Sequence, residues 1–214
     1  MGNTGWHWAE VVLVVVALSA PLVWFMWRRA ARLDRLHRKV SASRIALDSQ
    51  LLRRASAAGE LASMGVLDPA SMVLVAEAAI SLIEEAEPVP SPQAALEIAG
   101  LPESRLAQES ALSATLRQAL SDPVEVASLQ TQDAAYLSGL VGAWYRAQLA
   151  RRFYNEAVAQ THRARRHWWV RVFHLAGHAP WPQTVDLDDA MPPALEAIAS
   201  SASTSPTQVL GSPA

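Results

Sequence analysis

The sequence predicts an all-α protein: an N-terminal transmembrane helix followed by an antiparallel bundle of about four helices, the first and last of them long. Residues 11–27 carry no charged side chain, and Arg28 and Arg29 follow at once. A run of roughly 17–20 apolar residues, rising about 1.5 Å each, crosses the ~30 Å hydrocarbon core of a bilayer. Downstream, long proline-free stretches repeat apolar residues at three- and four-residue steps, the period of one helix face. Hydrophobic residues make up 51% of the chain but aromatics only 7%, a balance that favours helices over sheets.

The anchor, residues 9–27, has tryptophans at both ends: Trp6 and Trp8 on one side, Trp24 and Trp27 on the other. As a helix the stretch from Trp8 to Trp24 spans about 24 Å, near the separation of the two headgroup belts that indole rings prefer. The flank 1–8 has no Lys or Arg, whereas Arg28, Arg29, Arg32, Arg35, Arg38 and Lys39 follow the span. The positive-inside rule therefore predicts a single-pass plasma-membrane protein, its N-terminus outside and the bulk of the chain cytoplasmic. A cleaved signal peptide ending near Ala17-Leu18-Ser19-Ala20 is the rival. Its leading region would lack positive charge, and the apolar run continues beyond that site.

From residue 28 to about 64, Leu33, Leu36, Val40, Leu47, Leu51, Ala55, Ala58 and Ala62 mark one long amphipathic helix, stopped by Gly65. Asp68-Pro69 is a start signal, a capping acid followed by proline at the first helical position. Val73, Ala76, Ile80 and Ile83 give that second helix a face until Pro88, and Pro88, Pro90 and Pro92 make a stiff connection. Leu106, Leu112, Leu116 and Leu120 mark a third helix over about 102–121, and Asp122-Pro123 repeats the start signal. The last helix is predicted from about 124 or 133 to about 175, with Tyr136, Leu140, Ala143, Ala147, Ala150, Tyr154 and Val158 on one stripe. The bundle thus covers 28–179. Residues 180–214, rich in Pro, Ser and Ala, are predicted to be a disordered tail.

Charge is segregated although the net charge is only -2: residues 28–54 and 146–171 are basic, and residues 60–133 are acidic. In an antiparallel bundle the fourth helix returns to the end from which the first departs. Arg165, Arg166, Trp168 and Trp169 then lie beside the bilayer with Trp24, Trp27, Arg28 and Arg29, an arginine and indole set suited to anionic headgroups of the inner leaflet. Nucleic acid is the other polyanion such a cluster suits, but an anchored chain has the leaflet nearer. The chain has no cysteine, which excludes disulfides, thiolate metal sites and a cysteine nucleophile.

Two stretches resemble the LemA family of bacterial membrane-anchored helical proteins. Leu47-Asp48-Ser49-Gln50-Leu51-Leu52-Arg53-Arg54 is similar to the family's Ile-Asp-x-Gln-Leu-x-Arg-Arg segment, and Ala150-Arg151-Arg152-Phe153-Tyr154-Asn155-Glu156-Ala157-Val158 to its Ala-Arg-x-x-Tyr-Asn-x-x-Val segment. The resemblance implies one N-terminal span and an antiparallel cytoplasmic bundle, and it lends no catalytic residues. The family's second Tyr-Asn pair falls at Thr161-His162, and the aliphatic and proline stretch that follows it there is replaced here by arginine and tryptophan. From the residues themselves, Tyr154 is expected in the helix seam, Asn155 is expected to hydrogen-bond across to the first helix, and Asp48 to pair with Arg151 or Arg152.

No phosphate-cradling glycine loop and no Gly-x-Ser-x-Gly elbow is present. His174 and His178, four residues apart, invite a metal, but Ala176-Gly177 breaks helical geometry between them. Glu84, Glu85 and Glu87 read as a solvated helix end, and Asp186, Asp188 and Asp189 as an acidic tail. The leading expectation is a non-enzymatic scaffold without cofactor or metal, whose acidic middle recruits an unidentified protein and whose basic ends lie on anionic lipid. The alternatives are a membrane-bound metal-dependent hydrolase using the C-terminal histidines, and a homo-oligomer that shapes membrane.

Overall fold

The computed structural model describes residues 4–86, 100–167 and 180–204, apart from the side chains of Thr4, Trp6, His7, Ala9, Leu22 and residues 201–204. Those residues are mostly helical and contain no strand, so the described part of the protein is all-α. The helices are α1 (Thr4–Ser63), α2 (Pro69–Glu84), α3 (Glu103–Ala119), α4 (Pro123–Gln132), α5 (Ala134–Arg165) and α6 (Pro193–Thr204). At 60 residues α1 is about 90 Å long. The apolar run and the amphipathic stretch after it are therefore one continuous helix, with Pro21 inside it.

The ends of the helices follow local chemistry. Gly65 closes α1 at φ +67°, a left-handed conformation that costs a residue without Cβ nothing, and its amide donates back to the Ala62 carbonyl at 3.3 Å. The Asp68 carboxylate caps α2 by accepting from the amides of Ala70 and Ser71 at 3.0 and 3.2 Å, with Pro69 needing no partner. Asp122 does the same for α4 through Val124 at 2.8 Å. Asp133, at φ −131° and ψ 41°, separates α4 from α5, so the long last helix begins at Ala134 and ends at Arg165.

Among the described residues one helix, α1, is long and apolar enough to cross a membrane, and its two halves have opposite surroundings. Val11, Leu13, Leu18, Val23 and Trp27 stand 53–70% exposed, whereas Leu47, Leu51, Ala55, Ala58, Leu61 and Ala62 are buried. The buried half packs chiefly on α5 and α2, and α2 packs on α3. Lys39 donates to Gln160 at 3.0 Å and the Arg54 guanidinium lies over Trp144 at 5.3 Å, so α1 and α5 run antiparallel. Small residues let helices approach: a Cβ on Gly59 would sit 3.6 Å from that of Ala79. The far end of the core joins Leu61, Val75, Leu82, Leu112, Leu116, Leu140, Trp144 and Leu195. A second cluster joins Leu47, Leu51, Tyr154 and Val158 to Val185 and Leu187. Each such leucine contributes roughly 1.5–3 kcal/mol by leaving water.

The disordered tail expected from residue 180 is corrected. Residues 180–192 run extended along α5, and α6 follows. Composition hides Val185, Leu187, Met191 and Leu195, all buried, and a segment with those anchors buries enough apolar surface to order itself. Residues 205–214 lie outside the described part of the chain.

Candidate functional site

Three neighbouring constellations lie along the seam between α1 and α5. Nearest the apolar run is a basic end. Trp24 and Trp27 are exposed, the Arg28 guanidinium lies 4.8 Å over the Trp24 ring, and Arg29 lies 4.8 Å over Phe25. Each pair is four residues apart, the spacing that stacks side chains on one helix face. Trp8 is exposed at the other end of the run. The Trp6 side chain, Trp168 and Trp169 fall outside the described positions, as do His174 and His178.

A cavity of about 390 Å³ opens at this end, lined by Arg29, Arg32, Leu33 and Leu36 from α1 and by Gln160, Arg163, Ala164 and His167 from the end of α5. Both sets are spaced three, one and three residues apart, so each helix presents its seam face. Further along, this face carries Leu47 and Leu51 on α1 and Val158 and Tyr154 on α5. Here Arg29, Arg32 and Arg163 stand beside Leu33 and Leu36, and the described residues leave a gap. Among the described residues no carboxylate lines it; Gln160 and Arg163, the latter at 2.9 Å, hold the Glu156 carboxylate beside it and lower its pKa.

Arg165 and Arg166 divide. Arg165 turns into the fold, donating to the Pro180 carbonyl at 2.9 Å and lying 4.7 Å over Trp181, while Arg166 is exposed. Next to Arg165, His37 is half-buried; burial lowers its pKa, Arg165 lowers it further and Asp34 opposes.

The second constellation is a polar ladder that straps residues 180–192 to α5. His162 Nε2 meets the Pro182 carbonyl at 2.7 Å while its ring stacks on Trp181, and Tyr154 donates to the Gln183 carbonyl at 2.8 Å. Asn155 treats Val185 as a neighbouring strand would, donating to its carbonyl at 2.9 Å and accepting from its amide at 2.8 Å. Trp144 Nε1 and Gln148 both donate to the Asp189 carbonyl, and Arg151 grips the Asp189 carboxylate at 2.7 and 3.0 Å. Arg117 of α3 pairs with Asp188 and lowers its pKa.

The register expectations change accordingly. Asp48 does not pair with Arg151, whose carboxylate partner is Asp189; Asp48 lies 3.8 Å from Arg44 on its own helix, and Arg152 is exposed. Arg44 and Asp48 do act on the Tyr154 phenol, whose pKa burial raises, so these stretches of α1 and α5 are level with one another. Asn155 binds the strap rather than α1. Strap carbonyls in the groove satisfy donors that were expected to reach across to the first helix.

The third constellation went unseen in the sequence. Arg54, fully buried, donates to Glu109 Oε2 at 2.8 Å, to the Glu109 carbonyl at 3.0 Å and to Ser113 Oγ at 2.9 Å. Arg105 approaches the other carboxylate oxygen at 2.9 Å. The available signal was phase: Arg54 follows Leu47 and Leu51 on the core stripe of α1, and Glu109 stands midway between Leu106 and Leu112 on α3.

Among the described residues no group of three or more His, Asp or Glu is placed to hold a metal ion. Cations facing one another across a cavity are instead suited to an anion. Comparison with known proteins finds no matching family model, no matching characterised protein and no matching solved structure.

Proposed function

We propose that the protein is a non-enzymatic helical scaffold of the bacterial plasma membrane, LemA-like in plan, with residues 9–27 spanning the bilayer and the following helices forming a cytoplasmic bundle. The observation that carries this reading is the division of α1 into an exposed apolar half and a buried amphipathic half with no break between them. The exposed valines and leucines before Arg28 have lipid as their natural solvent. Arg28, Arg29 and Arg166, with Trp24 and Trp27, set depth against the anionic inner leaflet, and Trp168 and Trp169 add to that contact. Support for the LemA-like plan comes from its two segments lying side by side on α1 and α5. The protein partner docks on the outer face of α2, where Val73, Leu74 and Ile80 are exposed beside Glu77, Glu84 and Glu85.

The absence of cysteine makes topology directly testable. Thr4→Cys and Ser128→Cys, each on the full chain, are exposed in turn to a membrane-impermeant maleimide. The expected result is labelling of position 4 in intact cells and of position 128 only after permeabilisation, with the protein resistant to alkaline carbonate extraction. Labelling of position 128 in intact cells, or release by carbonate, overturns the reading. Crosslinking through α2 in intact membranes then identifies the partner; recovery of the chain alone or with copies of itself would favour self-assembly over scaffolding.

A further inference from the structure

We propose that the outward face of α5 is a second docking surface, and that its occupant is an acidic amphipathic helix of a partner protein; the choice of occupant rests on the membrane-anchored reading above. Tyr145, Leu149 and Phe153 recur at steps of four along α5, the spacing of one ridge on a helix surface, and stand 57%, 37% and 61% exposed. The core face of the same helix carries Leu140, Trp144, Ala147, Tyr154 and Val158, all buried, so the stripe is a separate apolar surface. It leaves roughly 300 Å² of side chain in water, the size at which a surface patch on a monomer is commonly functional. Arg146 and Arg152 flank it, both exposed and in no ion pair among the described residues. Glu156, the next acid along the helix, is engaged by Arg163 and Gln160 at 2.9 and 3.0 Å. The stripe is therefore an apolar ridge with a basic rim.

Charge and depth select that occupant. A helix that packs leucines between Tyr145 and Phe153 sets its flanking positions over Arg146 and Arg152, where glutamate pairs and lysine repels, as flanking charges choose partners in coiled coils. Tyrosine and arginine are side chains in which interface energy concentrates. Lipid lies out of reach. Lys39 is level with Gln160 and Arg54 with Trp144, so the stripe stands roughly 26–38 Å past Arg28 at the helical rise, whereas headgroups add only about 5–8 Å to each side of the hydrocarbon core. Two cations are also few for a nucleic-acid backbone, whose binding grows with the number of phosphates neutralised. A second copy does not fit either. Gly59 faces Ala79, so the exposed Val73 and Ile80 of α2 lie roughly 15–20 Å farther from the span than the stripe, an offset that two copies anchored in one bilayer preserve. Pairing two such stripes about a twofold axis would set like charges together.

The test is fluorescence anisotropy of the full chain in phosphatidylcholine nanodiscs with a labelled three-heptad helical peptide, leucine at its core positions and glutamate at the flanking ones, beside its lysine counterpart. The wild type is expected to bind the glutamate peptide about tenfold tighter than the lysine peptide. Tyr145→Ala with Phe153→Ala should weaken the glutamate peptide about tenfold, and Arg146→Gln with Arg152→Gln should bring the two peptides to about equal affinity. Val124→Ala, which removes an exposed valine on α4, should change neither. All five positions are exposed, so every variant should keep the wild-type melting curve. Equal affinity of the wild type for the two peptides, or glutamate-peptide binding unchanged by the Tyr145 and Phe153 substitutions, overturns the proposal. So does wild-type self-association that those substitutions abolish, which gives the face to a second copy, or oligouridylate held tighter than the glutamate peptide, which gives it to nucleic acid. Carbonate extraction reports on the anchor alone: a chain that stays in the bilayer yet shows no peptide preference refutes this surface and leaves the anchor standing.

Discussion

Removing the Glu109 carboxylate while leaving Arg54 in place should be the most damaging single change in the packed part of the chain. Both side chains are fully buried, and Arg54 has no route to water. At about 4 Å between charges and an effective dielectric near 20, their attraction is of the order of 4 kcal/mol. That attraction compensates a desolvation cost already incurred, so the pair is near neutral while either half alone is a liability. Glu109→Ala is expected to lose about 3–5 kcal/mol, because Arg54 keeps only the Glu109 carbonyl and Ser113 as acceptors. Arg105 suffers less, since it also donates to the Leu82 carbonyl at 2.8 Å and reaches solvent. In thermal unfolding of the full chain in detergent, followed by helical circular dichroism, the midpoint should fall by roughly 8–15 °C. Arg54→Met with Glu109→Leu together should return to within about 1.5 kcal/mol of wild type, since two apolar side chains of similar size leave nothing uncompensated. A Glu109→Ala loss below about 1 kcal/mol, or a double variant no better than the single, would refute the claim that an unpaired buried charge is the cause.

Asn155→Ala orphans both polar groups of Val185 and should cost about 2 kcal/mol, read as a roughly thirtyfold faster exchange of the Val185 amide; unchanged exchange would show that the strap is held elsewhere. Acid should act in two windows. His37 has a folded pKa below its ordinary value of 6.5, so the folded state binds fewer protons there, and its stabilisation is full above that value and falls as pH drops through it. Denaturant midpoints should therefore decline between about pH 7 and pH 5, and His37→Gln should flatten that limb. Asp188 has a depressed pKa because of Arg117, so its contribution persists above about pH 4 and is lost below, with Arg117→Gln abolishing only the lower limb. Gly65→Ala meets no neighbour, so its cost is conformational alone, about 1–2 kcal/mol by thermal unfolding, whereas Gly65→Asn should cost clearly less.

What was legible in the sequence is what depends on neighbours along the chain. The uncharged run, Gly65, and the two Asp-Pro starts are local physics, and α1, α2 and α4 begin or end where those residues stand. The Leu47, Leu51, Tyr154 and Val158 seam was legible because periodicity survives packing. The strap was not: Asp188 and Asp189 read as solvent-seeking acids until Arg117 and Arg151, distant in sequence, are placed against them. Pairing of this kind is set by which of several arginines a carboxylate reaches, and spacing along one helix carries no such information. The Asp48 expectation failed for the same reason. Its level relative to Tyr154 followed from the antiparallel seam, but Arg151 had a better partner in a segment whose composition concealed it.

The seam also changes character in one direction, and that ordering links fold to function. Farthest from the apolar run it is apolar, then it admits one neutralised ion pair under Trp144, then a phenol and a carboxamide that serve the strap, and finally a cavity lined by both arginines and leucines. Because α1 is continuous, the cavity's distance from the apolar run is fixed along one helix, to within the 1.5 Å rise of a residue.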